Sequence, residues 1–306
     1  MFRKISKSIS TALILTFLFT STIPSGVFAA SSPDKSNQGS LQNSKKYRSK
    51  NHTRLGELSD KRNQNTKYYL NSDGTQTADT YINSVNYKDN KGKWQSISNK
   101  IISSDEPGFS FSNEANSFKT TFTKDSSSKY ITLLNIDNKH KLSWSLEGAV
   151  NSSAAKDTYS VTYPNILTDT DLQYQPFSDG LKENIIVKSA SAPNVFKFDL
   201  KLEGLTPELL NDGNIELKDE KTGENIFVLP KSYMFDNNHK TSNSVNMTID
   251  KTDNPNIYTI TVTADENWLK DSSTAFPVTI DPSALTQNYF IQVTSSSGID
   301  TYIGRK

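Results

Sequence analysis

From Lys67 onward, the chain repeats short segments in which apolar and polar residues alternate, and this pattern constrains the fold more than any other feature. Leu142, Trp144 and Leu146 form one such run, and residues 195–200 and 257–263 form others. Successive side chains of a β-strand point to opposite faces, so alternation is typical of a strand buried on one side. We therefore predict a mostly β protein, built from one or more antiparallel β-sandwich modules.

Glycine-containing turn signals separate these segments. The dipeptides are Asp73-Gly74, Lys91-Gly92, Asp179-Gly180, Asp212-Gly213 and Thr222-Gly223. Glycine takes a positive φ without steric cost, as many tight hairpin turns require. Their regular spacing favours a sandwich or a barrel.

Two short segments carry helix signals. In residues 206–210, Thr206 is a capping residue and Pro207 occupies the first helical position. Residues 265–270 begin with Asp265 and Glu266 and end with Lys270, in keeping with the helix dipole. We expect one or two short helices, and we expect the sandwich region 67–282 to divide, if it holds two modules, near residues 148–156.

The first thirty residues carry an export signal. Arg3, Lys4 and Lys7 precede a short apolar run at residues 12–19, and small residues follow at 29 and 30. The run is shorter than the roughly 20 residues that cross a bilayer. We therefore predict a secretory signal peptide over residues 1–29, removed by signal peptidase, rather than a membrane anchor. The protein is expected to be secreted and to reside at the cell wall or outside the cell.

A basic segment follows the signal peptide. Residues 31–67 hold nine basic and three acidic residues, whereas residues 68–306 carry a net charge of −8. Few apolar residues and a high net charge are typical of disorder, so we predict a disordered basic linker over residues 30–66. It is either a solvated spacer or an arm that adheres to anionic wall polymers by non-specific electrostatics. The candidate residues for that adhesion are Lys45, Lys46, Arg48, Lys50, Arg54, Lys61 and Arg62.

The sequence offers few side chains that could form a catalytic centre. The chain has no cysteine, which excludes a disulfide scaffold, a thiolate metal site and a cysteine nucleophile. Its histidines, His52, His140 and His239, all lie in polar, loop-like segments, and no Gly-x-Ser-x-Gly motif occurs. Acidic residues such as Asp179 and Glu183 lie beside turn signals, so a glycosidase with paired carboxylates remains a minor alternative. We predict a protein that is not an enzyme and that does not bind nucleic acid, because its folded part is acidic.

A few residues are candidates for ligand binding. Trp94 and Trp268 are the candidates that could stack on a sugar ring. The alternative for Trp94, which pairs in pattern with Ile97, is a buried position, and the alternative for Trp268 is to hold its short helix on a sandwich. Trp144 alternates with leucines and is expected in the core. Asp169 and Asp171 are weak candidates for calcium, which prefers clustered hard oxygen ligands. No other cofactor is expected.

Five spaced motifs occur between residues 69 and 282: YLNSDG at 69–74, VNYKDNKGKW at 85–94, YPNILTDTDLQY at 163–174, GLKENIIV at 180–187 and FPVTIDP at 276–282. Together they resemble the amino-terminal region of Gram-positive wall-associated proteins of the YD-repeat (Rhs-like) class. The resemblance covers residues 67–306. It implies a β-rich module that precedes a DNRLRE domain, itself a β-sandwich, followed by YD repeats and a variable toxin.

Residues 283–306 resemble the first strands of such a DNRLRE domain, so we expect a truncated copy without the repeats and the toxin. The implied function is a secreted, non-enzymatic surface module of the cell wall, with teichoic acid or peptidoglycan as partner. The alternatives are a carbohydrate-binding module that recognises wall glycan and, less favoured, the glycosidase.

Overall fold

The computed structural model describes residues 52–286 and the backbone of residues 300–304. The predicted signal peptide, most of the predicted linker and the candidates Lys45, Lys46, Arg48 and Lys50 lie outside the described residues. Within the described part of the chain, no helix is long and apolar enough to cross a membrane.

The described residues consist mainly of β-strands, which confirms the predicted fold class. In chain order, the first strands are β1 Arg54–Glu57, β2 Thr66–Asn71, β3 Gln76–Tyr81, β4 Asn86–Lys88, β5 Trp94–Ser96, β6 Ser98–Ser103, β7 Phe111–Ala115, β8 Lys119–Phe122, β9 Thr132–Asn135, β10 Lys141–Leu146, β11 Ala155–Lys156, β12 Val161–Leu167 and β13 Thr170–Phe177. The others are β14 Gly180–Val187, β15 Val195–Glu203, β16 Leu205–Leu209, β17 Ile215–Asp219, β18 Asn225–Leu229, β19 Tyr233–Phe235, β20 Thr241–Ser242, β21 Val245–Lys251, β22 Ile257–Ala264, β23 Val278–Asp281, β24 Ala284–Thr286 and β25 Asp300–Gly304. A short 3-10 helix spans Ser59–Lys61, and the helix α1 spans Glu266–Lys270.

Two large antiparallel sheets form one sandwich. Sheet I has eight strands in the order β21-β22-β15-β10-β9-β8-β7-β6. Sheet II has eleven strands; its main path is β11-β12-β13-β14-β24-β18-β17-β16, while β23 pairs with β14 and β19, and β19 with β20. One continuous hydrophobic cluster draws residues from both sheets. The two sheets therefore share one core.

The segment near residues 148–156 is a crossover inside this sandwich. It leads from β10 in sheet I to β11 and β12 in sheet II, and the chain returns to sheet I at β15 and again at β21. A division into two modules at this point does not match the structure, because strands on both sides of it contribute to the same core.

Strand β10 shows how alternation builds that core. Leu142, Trp144 and Leu146 are at most 6% exposed. The indole Nε1 of Trp144 donates a hydrogen bond to the Tyr174 hydroxyl of sheet II at 3.1 Å. Burying a large apolar side chain stabilises a fold by roughly 1.5–3 kcal/mol. The prediction that Trp144 is a core residue is confirmed.

One of the two helix predictions is wrong. Residues 205–209 form strand β16, which pairs with β17 from Leu205–Asp219 to Leu209–Ile215. β16 is the last strand of sheet II, where a proline such as Pro207 is tolerated because one edge needs no N–H donor. The other predicted helix is α1, and the Asp265 side chain caps it by accepting from the Asn267 N–H at 2.9 Å.

The amino-terminal part forms a smaller sheet, β1-β2-β3, whose free edge pairs in parallel with β25. Disorder is therefore a wrong prediction for residues 54–66. The physical reason is that Arg54 and Arg62 form ion pairs with Asp79 and Glu57, while β1 pairs with β2. The Ser84 hydroxyl ties this part to the sandwich by donating to Asp179 at 2.5 Å.

The carboxy-terminal boundary also differs from the sequence-based expectation. Residues 284–286, expected to open a further domain, form β24 within sheet II. Residues 300–304 are a strand, as expected, but they pair with β3. The other strand expected in this region, at residues 288–293, lies outside the described residues.

Candidate functional site

A groove of about 340 Å³ lies between the 3-10 helix and the β4–β5 hairpin. Gly92 closes the hairpin turn with a φ of 73°, as predicted for that position. The lining residues combine one aromatic ring with charged and amide side chains; they are Ser59, Asp60, Arg62, Gly92, Lys93, Trp94 and Gln95. Among the predicted site residues, the structure brings Trp94 and Arg62 together here.

Trp94 supplies the apolar surface of this Trp94 groove. Its side chain is half-buried at the start of β5. The Lys88 ammonium lies 5.2 Å from the centre of the indole ring, within the range of a cation–π contact.

Arg62 is held in a fixed orientation beside Trp94. Its Nε and Nη2 atoms donate to the two carboxylate oxygens of Glu57 at 2.6 and 2.9 Å, and Nη1 donates to the Trp94 carbonyl at 3.4 Å. The hydrogen bond from Arg62 lowers the pKa of Glu57, and the same bond raises the pKa of Arg62. A guanidinium has five N–H donors, so two remain for a ligand.

The charges around the groove favour an anionic or hydroxyl-rich ligand. Glu57 balances Arg62, Lys88 and Lys93 add positive charge, and Asp60 is the acidic residue of the lining. A forked guanidinium matches the geometry of phosphate and carboxylate groups, and an aromatic face packs against sugar C–H groups. The groove can therefore hold a phosphate-bearing polyol or a sugar.

The other basic candidates in the described residues lie outside the groove lining. Arg54 makes two hydrogen bonds of 2.7 Å to Asp79 and lies 4.5 Å above the Tyr69 ring. Lys61 donates to the Gln76 amide oxygen at 2.9 Å. The ion pair with Asp79 neutralises the charge of Arg54, whereas Lys61 bonds to a neutral amide.

Trp268 is in contact with other parts of the protein on several sides. It lies in helix α1, packs against the hydrophobic core and has the Lys240 ammonium 5.8 Å from its ring. The Thr274 hydroxyl donates to its carbonyl at 2.7 Å. These contacts favour a role in holding α1 on the sandwich over ligand stacking.

The two calcium candidates already have protein partners. The Lys188 ammonium lies 2.6 Å from Asp171, which also accepts from the Asn165 N–H at 2.6 Å. Asp169 accepts from the Ser189 hydroxyl at 2.6 Å. A calcium ion at Asp171 would have to displace Lys188, and the described residues hold no cluster of three or more potential metal ligands.

The burial of two titratable groups was not predicted from the sequence, which assigned both to polar surroundings. His140, assigned to a polar loop, is 8% exposed and lies between Asp137 and Asp219. Glu183 lies in the sandwich core, where its carboxyl group accepts from the Tyr174 hydroxyl at 2.9 Å, and burial raises its pKa to about 8. Alternation along β14 was the available signal, because it assigns Glu183 to the same face as Leu181 and Ile185.

A raised carboxyl pKa in an apolar pocket is one requirement of a glycosidase, but the pocket beside Glu183 has the wrong size. Its cavity is about 30 Å³ and is lined mainly by apolar core side chains such as Leu142, Phe198 and Met247. A cavity of this volume has room for water at most and excludes a sugar ring.

Comparison with known proteins identifies relatives that match most of the chain. The chain is 30% identical over 249 residues to the tRNA nuclease WapA of Bacillus subtilis (strain 168), a match that covers 74% of this chain and 10% of that protein. A tRNA(Glu)-specific nuclease WapA of Bacillus subtilis subsp. natto matches equally, at 30% over 249 residues, with the same coverage. The chain thus spans about a tenth of the length of these relatives.

A further relative is matched over most of its own length. It is a wall-associated protein of Geobacillus stearothermophilus, 31% identical over 196 residues, which cover 60% of this chain and 76% of that protein. No protein-family model matches the chain. No solved structure matches it either.

These relatives overturn one prediction. The chain was predicted not to be an enzyme, yet three related proteins are named as tRNA nucleases and match it over most of its length. That prediction considered only catalytic centres that residues of this chain could form. The relatives are about ten times longer than the shared region.

Proposed function

The chain belongs to the family of the wall-associated proteins and is located at the cell wall, and we propose that its β-sandwich attaches a tRNA nuclease of this family to wall polymers. Export by the signal peptide over residues 1–29 is part of this proposal. The proposal also places the DNRLRE domain, the YD repeats and the toxin in the part of the relatives that lies beyond the shared region.

The observation that carries this proposal is the Trp94 groove. It combines a half-buried indole, a guanidinium with two further donors and the ammonium group of Lys93, and the Lys88 ammonium lies 5.2 Å from the centre of the indole ring. Residues 31–51, which add a further excess of positive charge, precede it in the chain. Both features favour an anionic polymer, so teichoic acid is the preferred partner and peptidoglycan the second.

The attachment is tested by cosedimentation of the secreted protein with purified Gram-positive walls over a range of salt concentrations. Electrostatic binding weakens as salt screens the charges, so we expect release from the walls at high salt. Binding that does not change with salt would contradict the electrostatic mechanism. No binding at low salt would contradict wall attachment itself.

A carbohydrate-binding module is the second candidate function, and Trp94 is the residue that favours it. In that case the indole would stack on a sugar of the wall glycan, and free sugar would compete. The same cosedimentation distinguishes the two functions, because free sugar displaces a stacked ligand while salt displaces a charged one.

The nuclease activity of the complete protein is tested separately. Relatives named as specific for tRNA3(Ser) and tRNA(Glu) match this chain at the same 30% identity. We therefore propose that tRNA specificity is set outside the shared region. The test incubates the protein secreted by the source cells with bulk tRNA; cleavage is expected, and intact tRNA would contradict the proposal.

A further inference from the structure

The Trp94 groove carries charges of both signs, and its acidic residue differs from a neighbouring acid in having no protein partner. Asp60 lies in the 3-10 helix, lines the groove and is exposed. Its carboxylate makes no ion pair or side-chain hydrogen bond with any of the described residues. By contrast, both carboxylate oxygens of Glu57 accept from Arg62, at 2.6 and 2.9 Å. The Asp60 carboxylate is therefore accessible to a ligand.

A second acid near the groove is occupied by the β4–β5 hairpin itself. Asp89 Oδ1 accepts from the backbone N–H groups of Lys91 and Lys93, each at 2.9 Å. Asp89 Oδ2 accepts from Gln95 Nε2, also at 2.9 Å. An aspartate that bonds to nearby backbone groups in this way stabilises the turn. Asp60 is thus the acid that the groove presents to a ligand.

Positive charge lines the same groove. After its bonds to Glu57 and the Trp94 carbonyl, the Arg62 guanidinium keeps two further N–H donors. Lys93 is exposed, and its ammonium group makes no ion pair with a described residue. A forked guanidinium matches a phosphate, whereas a carboxylate such as that of Asp60 pairs with an ammonium group. The groove is therefore complementary in charge to a ligand that carries both groups.

A polymer with phosphates alone matches this groove only in part. Its phosphates would pair with Arg62 and Lys93, but they would also approach Asp60, and like charges repel. A polymer with an ammonium group close to each phosphate would find a partner at all three side chains. Polyol phosphates that carry aminoacyl esters have this composition, because each ester leaves a free amino group that is charged below its pKa of about 8.

We propose that the groove selects a polyol phosphate that carries aminoacyl esters. Asp60 binds the ammonium group of the ester, and Arg62 and Lys93 bind a neighbouring phosphate. This inference rests on the wall attachment proposed above and names the form of teichoic acid that the groove prefers. It makes Asp60 a residue that determines specificity rather than overall affinity.

Long-range electrostatics alone favour the opposite polymer. Residues 31–67 hold nine basic and three acidic residues. Such an excess of positive charge attracts a polymer more strongly when the polymer is more negative, and aminoacyl esters reduce its negative charge. Without a contact at Asp60, esterification of the polymer would therefore weaken binding. A substitution at Asp60 separates the two contributions, because the other charges of the chain stay the same.

The test measures binding of the full chain to immobilised polyglycerol phosphate that carries D-alanyl esters, and to the same polymer after removal of the esters. At about pH 6 the amino groups of the esters are charged. Asp60→Asn removes the proposed contact. Asp105→Asn is the matched control, because it makes the same substitution at an exposed acid outside the groove lining. Thermal melting shows whether each variant is folded.

We expect Asp60→Asn to bind the esterified polymer more weakly than wild type does, and the bare polymer more tightly. Exposed ion pairs are weak, so the ratio of the two affinities should fall about threefold, while Asp105→Asn keeps the wild-type ratio. An unchanged ratio in Asp60→Asn, or equal strengthening of binding to both polymers, would overturn the proposal and leave the attachment intact. A wild-type protein that binds neither polymer would reject the attachment to teichoic acid together with this preference.

Discussion

His140 and Asp219 are 79 residues apart in sequence and are joined by a hydrogen bond of 2.7 Å between Nε2 and Oδ2. His140 lies just before β10 in sheet I, and Asp219 ends β17 in sheet II. The other ring nitrogen, Nδ1, contacts Asp137 at 2.8 Å. One imidazole thus connects the two sheets at the edge of the core.

This connection should depend on pH. Burial opposes protonation of the ring, but the hydrogen bonds that the ring makes to Asp219 and Asp137 outweigh it and raise the pKa of His140. A raised folded pKa gives stability that is fully present below the unfolded value of about 6.5 and is lost as pH rises through the folded value. We expect His140→Gln to cost more unfolding free energy at about pH 5.5 than at about pH 9.

Urea unfolding at both pH values measures this cost. The control is His239→Asn, because His239 is exposed and asparagine tolerates its φ of 62°. If His140→Gln lowers the free energy of unfolding equally at both pH values, the ring is neutral in its contact with Asp137 and Asp219.

Glu183 should reduce stability in alkaline solution. Burial raises its folded pKa to about 8, whereas the unfolded value is about 4.3. The neutral acid is therefore favoured in the fold, and stability falls by up to about 1.4 kcal/mol for each pH unit between these values. Glu183→Gln keeps an acceptor for the Tyr174 hydroxyl without the charge.

We expect Glu183→Gln to be more stable than wild type at about pH 9 and close to wild type at about pH 4.5, near the unfolded pKa. Urea titrations at the two pH values test this, with Glu208→Gln as an exposed control. A variant that loses stability equally at both pH values would indicate that the carboxylate is charged in the core.

Leu142→Asp and Leu146→Asp should each unfold the sandwich. Both side chains are at most 5% exposed, and a buried carboxylate without a partner is destabilising by roughly 4 kcal/mol or more. Thermal melting followed by circular dichroism measures the loss, with Leu55→Asp as control because Leu55 is 65% exposed. Unchanged melting of both core variants would contradict the assignment of β10.

Calcium removal should have no effect on stability. Lys188 already neutralises Asp171, and the hydroxyl of Ser189 donates to Asp169. We expect the same melting temperature with added calcium and with a chelator. A higher melting temperature in calcium would show that the ion displaces Lys188 and would revive the calcium hypothesis.

The parts of the fold that sequence predicts are those set by local pattern. Alternation identifies β10 and β15 because each has one face in the core. The mistaken helix at residues 206–210 shows the limit: Thr206 and Pro207 give the signals of a helix start, but pairing with β17 outweighs local propensity.

The candidate sites depend on contacts between distant residues, and sequence patterns do not report these. Arg62 reaches the Trp94 carbonyl across 32 positions, and His140 reaches Asp219 across 79. Trp94 was a candidate from residue type alone, whereas its hydrogen bond with Arg62 becomes visible only in the fold.

Cosedimentation of Trp94→Ala with purified walls tests the central claim most directly. Tyr159→Ala is the control, since it removes an exposed aromatic ring outside the groove. If the Trp94 groove holds the protein on the wall, Trp94→Ala should weaken retention about tenfold at low salt, with a melting temperature close to that of wild type. Retention of a folded Trp94→Ala variant equal to that of wild type would contradict the account.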